Sequence, residues 1–191
     1  MDTTKRWGFT LIEMLTTTAI LVIIFGLLTV LFTRATTIHK VVRSGGDAEN
    51  FGIYLLNTII YGPGANREEG LIAAPAFSYS DSTTKATELS FTTRTGKTVR
   101  YLIADGTLKY GPSGSEVDLK PSWARDRQLD VLPAESGFFY YKDGAGTVPA
   151  TANGENIYSL RVKLVLKSVF QAEQEKVVLE RLVRIRNQIE F

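Results

Sequence analysis

The segment FTLIEMLTTTAILVIIFGLLTVLF, residues 9–32, decides the fold of this 191-residue chain. It has 24 residues, and Glu13 is the only charged one. A helix of that length is about 36 Å long, so it spans a bilayer core of about 30 Å with some tilt. Lys5 and Arg6 lie just before the segment, with two residues between. Because basic residues favour the cytoplasmic side, a membrane-spanning helix with a cytoplasmic N-terminus is predicted.

Glu13 is the unusual residue of this segment. It lies close to the cytoplasmic edge of the apolar run, and the run contains no Lys, Arg or His to pair with it. A carboxylate without a donor is unfavourable in lipid, so Glu13 is predicted to be a functional site whose partner comes from elsewhere. A carboxyl group that stays protonated, or that reaches the membrane interface, is the alternative.

Two ordinary interpretations of the apolar run are a secretory signal peptide and a plain single-pass anchor. A signal peptide has a shorter apolar region, followed by a cleavage site between small residues. Here the run is long, and LFTRATT, residues 31–37, is a poor cleavage site of that kind. An anchoring helix is therefore favoured over a signal peptide.

The stretch KRWGFTLIEML, residues 5–15, resembles the processing signal of the type IV pilin superfamily. That superfamily comprises type IV pilins, type II secretion pseudopilins and competence pseudopilins. Its motif is a short basic leader, a glycine, a phenylalanine and a glutamate four positions later, which are here Gly8, Phe9 and Glu13. The resemblance covers roughly the first 35 residues and is one of architecture beyond them.

The resemblance implies a maturation reaction and an assembly contact. A membrane prepilin peptidase would cut between Gly8 and Phe9 and then N-methylate the new amine of Phe9. Glu13 would pair with the N-terminal amine of a neighbouring subunit. The implied partners are this peptidase and methyltransferase, other pilin or pseudopilin subunits, an inner-membrane assembly platform, and the lipid bilayer before assembly.

The implied organisation has three parts: a leader at 1–8, a transmembrane and assembly segment at 9–33, and an extramembrane pilin-like domain at 34–191. The subunit would begin as a single-pass protein of the cytoplasmic membrane and end in a pilus or pseudopilus in the periplasm or at the cell surface. Unlike many type IV pilins, the chain has no proline in this helix. Hydroxyls of the threonine patch, residues 16–18, can bond to carbonyls one turn earlier, and these side chains could equally pack against neighbouring helices.

A helical pattern continues beyond the membrane segment to about Tyr61. Apolar residues recur at the spacing of one helix face, with a kink expected at Gly45 and Gly46 and a restart capped by Asp47. The sequence Gly-Pro-Gly at 62–64 ends the helix. These residues form the predicted apolar stripe: Phe51, Tyr54, Leu55, Thr58 and Ile59.

From Gly70 onward the apolar period changes to two, which predicts strands. A meander is predicted from 87–93, 97–103 and 107–110, with turns at Thr95-Gly96 and Asp105-Gly106. Further strands are predicted at 137–144, at 157–167 (one face Tyr158, Leu160, Val162, Leu164, Leu166) and at 176–186 (one side Val177, Leu179, Val183, Ile185), and a loop is predicted at 168–175. The predicted fold class is α+β, a long N-terminal helix packed on an antiparallel sheet.

Composition excludes several kinds of site. The chain has no cysteine, a single histidine, His39, and a net charge of +2. Disulfides, thiolate metal sites and histidine-based triads are therefore excluded. No nucleotide-binding or hydrolase motif is present, so no enzyme activity, metal or cofactor is expected. His39 is expected to be a solvated helix residue rather than a metal ligand or pH sensor.

Two loops and one group of basic residues stay open to a binding role. Trp123, in the loop 111–128, is either a contact residue or a cover for the sheet edge. The loop 142–156 is favoured as solvated turns over a calcium site built from Asp143, Asn153, Glu155 and Asn156. A charge-mixed solvent face is favoured over a basic strip for DNA or an acidic partner. The residues concerned are Arg161, Lys163, Arg181, Arg184 and Arg186.

The expected function is that of a prepilin, processed and assembled as a minor subunit of a type IV pilus. The domain resembles the J-type pseudopilins and W-type minor pilins in architecture. The first alternative is a minor pseudopilin of a type II secretion or competence system, with nucleic acid as a partner only in the competence case. A membrane-anchored binding module is a more distant alternative.

Overall fold

A computed structural model of the chain describes residues 10–64, 69–74, 76–78, 86–93, 95–112, 114–150, 157–168 and 176–185. It divides into two compact units, Met1–Val42 and Arg43–Phe191. The helices are α1 (Leu11–Tyr61), a 3₁₀ helix (Leu71–Ala73) and α2 (Ser122–Asp126). The strands are β1 (Ala76–Ser78), β2 (Glu88–Thr92), β3 (Thr98–Ala104), β4 (Thr107–Gly111), β5 (Val117–Asp118), β6 (Leu129–Val131), β7 (Gly137–Tyr141), β8 (Ser159–Ser168) and β9 (Lys176–Arg184). The predicted α+β class is confirmed.

Helix α1 ends at Tyr61, as predicted, and is one uninterrupted α-helix. Gly45 and Gly46 remain helical, so the predicted restart at Asp47 is wrong. Asp47 lies inside the helix, and its carboxylate pairs with the Arg127 guanidinium. Tertiary contacts of the following turns, which bury Ala48 and Phe51 completely, outweigh the low helix propensity of the two glycines.

The first sheet has five antiparallel strands in the order β1-β2-β3-β4-β5. The predicted meander of β2, β3 and β4 is confirmed, and its inward residues Leu89 and Tyr101 are directly opposite each other. Asp105 and Gly106 connect β3 to β4 with φ values of 52° and 74°. Positive φ at both residues is typical of the tight hairpin turn that an Asp-Gly pair predicts.

The second sheet is built around β8. Strand β9 pairs along one side of β8, and β6 and β7 share the other side. The predicted strands β7, β8 and β9 are confirmed, although β7 ends at Tyr141, three residues before its predicted end. Tyr158 precedes β8 and is 37% exposed, whereas the other residues predicted on its face are buried. Ser168 closes β8 instead of opening a loop, and residues 169–175 lie outside the described part of the chain.

The region 111–128 holds more structure than its turn-forming residues indicate. It contains β5 and the single-turn helix α2, and it leads directly into β6. These elements have two to five residues each, too short for a hydrophobic period to be recognised. The sequence therefore did not predict them.

The core of the unit Arg43–Phe191 lies between the second half of α1 and the two sheets. Gly52 allows a close approach, because a Cβ built at this position would lie 2.1 Å from Leu179 Cδ1 and 2.7 Å from Leu166 Cδ1. The buried Tyr101 hydroxyl donates to the carbonyls of Thr58 and Glu69, both at 3.1 Å, and so attaches the end of α1 to β3. This packing confirms a helix laid on antiparallel strands.

Candidate functional site

The candidate site is the first half of α1, within the unit Met1–Val42. Every residue from 10 to 40 is exposed, including Leu11 at 85% and Phe32 at 73%. A fully exposed apolar helix is unfavourable in water, because its side chains gain nothing from burial. By length and composition α1 is able to cross a membrane. Among the described residues it is the one helix that is long and apolar enough.

Glu13 has a local partner that the sequence analysis missed. Its carboxylate Oε2 accepts hydrogen bonds from the Thr10 backbone N–H at 2.9 Å and from the Thr10 hydroxyl at 3.0 Å. The Glu13 N–H in turn donates to Thr10 Oγ1 at 3.3 Å. The first helical bond, from Met14 N–H to the Thr10 carbonyl, is 3.2 Å long.

This reciprocal arrangement is a capping box. Thr10 is the N-cap and Glu13 is the third helical residue, so each side chain satisfies a backbone N–H that the helix leaves open. The spacing Thr-x-x-Glu was visible in the sequence, and it supplies the donor that Glu13 otherwise lacks. Both bonds fall on Oε2, so within the described residues Oε1 has no hydrogen bond and can accept another donor.

The threonine patch above Glu13 is satisfied internally, as predicted. Thr16 Oγ1 donates to the Ile12 carbonyl at 3.0 Å, and Thr17 Oγ1 donates to the Glu13 carbonyl at 2.7 Å. Thr18 Oγ1 donates to the Met14 carbonyl at 2.7 Å. Because each hydroxyl already donates to its own helix, these residues are compatible with an apolar environment.

The other predicted site residues have separate outcomes. Gly8 and Phe9, the proposed cleavage and methylation residues, lie outside the described residues. His39 is exposed on α1. Trp123 is 37% exposed and packs edge-on against Phe51, with ring centroids 6.0 Å apart and an interplanar angle of 87°. Trp123 thus packs against α1 of its own domain.

The loop after β7 has the structure of a self-capped turn. The Asp143 carboxylate accepts from the backbone N–H groups of Thr147 and Val148 and from the Thr147 hydroxyl. These bonds hold the pKa of Asp143 below its usual value, with the Thr147 hydroxyl as the largest cause. No group of three metal-ligating side chains occurs in the described residues. Asn153, Glu155 and Asn156 lie outside them.

The predicted basic residues do not form one strip. In the register of β8 and β9, Arg161 is opposite Leu182 and Ser159 is opposite Arg184. Opposed residues share a face, and so do alternate residues of one strand, so Arg161 and Arg184 both lie on the outer face of the second sheet. Arg181 is opposite the buried Val162, so it shares the inner face. Lys163 is 3.5 Å from Glu180, as expected for a charge-mixed face. Arg186 lies outside the described part.

Arg161 and Arg184 have a structural role instead. Arg161 Nη2 donates to the Gly146 carbonyl at 3.1 Å, and Arg184 Nε donates to the Gly144 carbonyl at 2.8 Å. The Arg161 guanidinium also lies 5.0 Å from the centre of the Tyr141 ring. These contacts fix the loop after β7 on the outer face of the sheet.

Comparison of the chain with family models, curated proteins and solved structures gave no significant match.

Proposed function

We propose that the protein is a prepilin that is cut between Gly8 and Phe9, methylated at Phe9, and assembled as a minor subunit of a type IV pilus. The observation that carries the proposal is Glu13 at the start of α1, whose first half is apolar and exposed and whose second half belongs to a β-rich domain. Oε1 of Glu13 has acceptor capacity beyond the capping box. An ammonium group from a neighbouring subunit is a donor that fits it.

Cleavage would create this ammonium group at the right depth. The new amine of Phe9 lies four residues before Glu13, so in aligned neighbouring helices both groups lie at nearly the same level in the membrane. The helix N-terminus also favours a negative charge there. One subunit's amine would then neutralise another's carboxylate while the apolar helices exchange lipid contacts for contacts with each other.

The intact mass and the N-terminal peptide of the membrane-extracted protein test the proposal. They are measured from cells with and without the cognate prepilin peptidase. A chain that begins at N-methylated Phe9 only when the peptidase is present is the expected result. A chain that keeps Met1–Gly8 in both samples rejects the prepilin proposal.

The capping box favours a second candidate, a membrane-anchored binding module. The contact with Thr10 explains a carboxylate at Glu13 even in a plain anchor, because the pair stabilises the start of the helix without any filament. Such a module would keep residues 1–8, so the same mass measurement distinguishes it. A minor pseudopilin of a type II secretion or competence system shares the maturation step and differs in its filament partners.

A further inference from the structure

We draw no further inference here: the strongest candidate, the uncharged exposed face that Ile53, Tyr54, Asn57 and Tyr61 form on the second half of α1, carries nothing because the structure does not show what covers it.

Discussion

In the proposed filament, Glu13 would combine a local and an intermolecular role in one carboxylate. Oε2 is occupied by Thr10, which fixes the first helical turn. Oε1 remains for the proposed amine. The local bonds therefore hold the carboxylate in a defined position, which reduces the entropy that a neighbouring subunit must remove on binding. A capped helix start and an assembly contact are compatible at this residue.

Separate substitutions distinguish these two roles. Glu13→Gln keeps an acceptor oxygen for the cap, since glutamine also completes a capping box, but it removes the charge. We expect this variant to be cleaved normally and to lose at least 90% of its filament incorporation, as measured by immunoblotting of sheared filaments. Thr10→Ala removes the hydroxyl contacts and keeps the charge, so it should retain most of its incorporation.

The opposite ranking would contradict the charge role. If Thr10→Ala abolishes incorporation and Glu13→Gln does not, Glu13 acts as a helix cap alone. Equal cleavage of all chains, seen in the N-terminal peptide, is the control that maturation is unaffected.

Tyr101 makes the stability of the domain fall at alkaline pH. Burial, and then the nearby Glu69 carboxylate, raise the pKa of this phenol above its ordinary value of about 10. The folded state thus binds the phenolic proton more tightly than the unfolded state. The resulting stability is complete below about pH 10 and is lost as the pH rises above it.

Tyr101→Phe removes this dependence. Loss of the hydroxyl's bonds to Thr58 and Glu69 should lower the free energy of unfolding by about 1–2 kcal/mol at neutral pH. Urea unfolding of both chains in detergent at pH 8 and pH 10.5 checks this, with the difference shrinking at the higher pH. A difference that stays constant would contradict a phenol buried in its neutral form.

At the scale of elements, α1 contains two glycines with opposite packing. Gly46 is exposed, and a Cβ built there meets nothing within 4 Å. Gly52 faces Leu166 and Leu179 at distances that require both leucines to move. The same substitution should therefore have opposite effects at two positions of one helix.

Gly46→Ala should stabilise the protein by about 0.5–1 kcal/mol, because alanine has the higher helix propensity. Gly52→Ala gains the same propensity, but overpacking against the sheet costs about 1–3 kcal/mol, so net destabilisation is expected. Urea unfolding followed by circular dichroism measures both. Stabilisation by Gly52→Ala would mean that the leucines repack without cost and that the close approach of helix and sheet is not tight.

The long elements that bury only one of their faces were predictable from the sequence. In β2 and β3 one face is buried and the other is not, so Leu89, Phe91 and Tyr101 reveal a period of two. The short strands β5 and β6 give no such period. The continuity of α1 through Gly45 and Gly46 depends on packing of later turns, which local propensity does not include.

At the scale of the whole molecule, the long apolar first half of α1 was predictable because it depends on composition alone. The partner of Glu13 was also within reach, since it lies three residues away. The ion pair of Asp47 with Arg127 was not, because the two residues are distant in sequence and meet only through the fold. Contacts of that kind require the tertiary structure.

If α1 spans a membrane as proposed, its orientation depends on a close balance of charges. Lys5 and Arg6 precede the apolar run, but the segment 34–43 after it holds three basic residues and no acid. In the proposed topology, the leader charges would therefore hold the N-terminus in the cytoplasm against an opposing bias. Because this balance is close, removal of the two leader charges should produce a mixed population of orientations.

Val178→Cys reports the orientation, because this exposed residue is then the only thiol in the chain. In spheroplasts or protoplasts a membrane-impermeant maleimide should label it almost completely. With Lys5→Gln and Arg6→Gln added, a substantial fraction should become protected until the membrane is permeabilised. Lys40→Gln with Arg43→Gln is the matched control and should keep full labelling, since it weakens only the opposing bias. Full labelling of the leader variant would mean that the leader charges do not set the orientation. Protection of the introduced cysteine in the chain with the unaltered leader would place the β-rich domain in the cytoplasm.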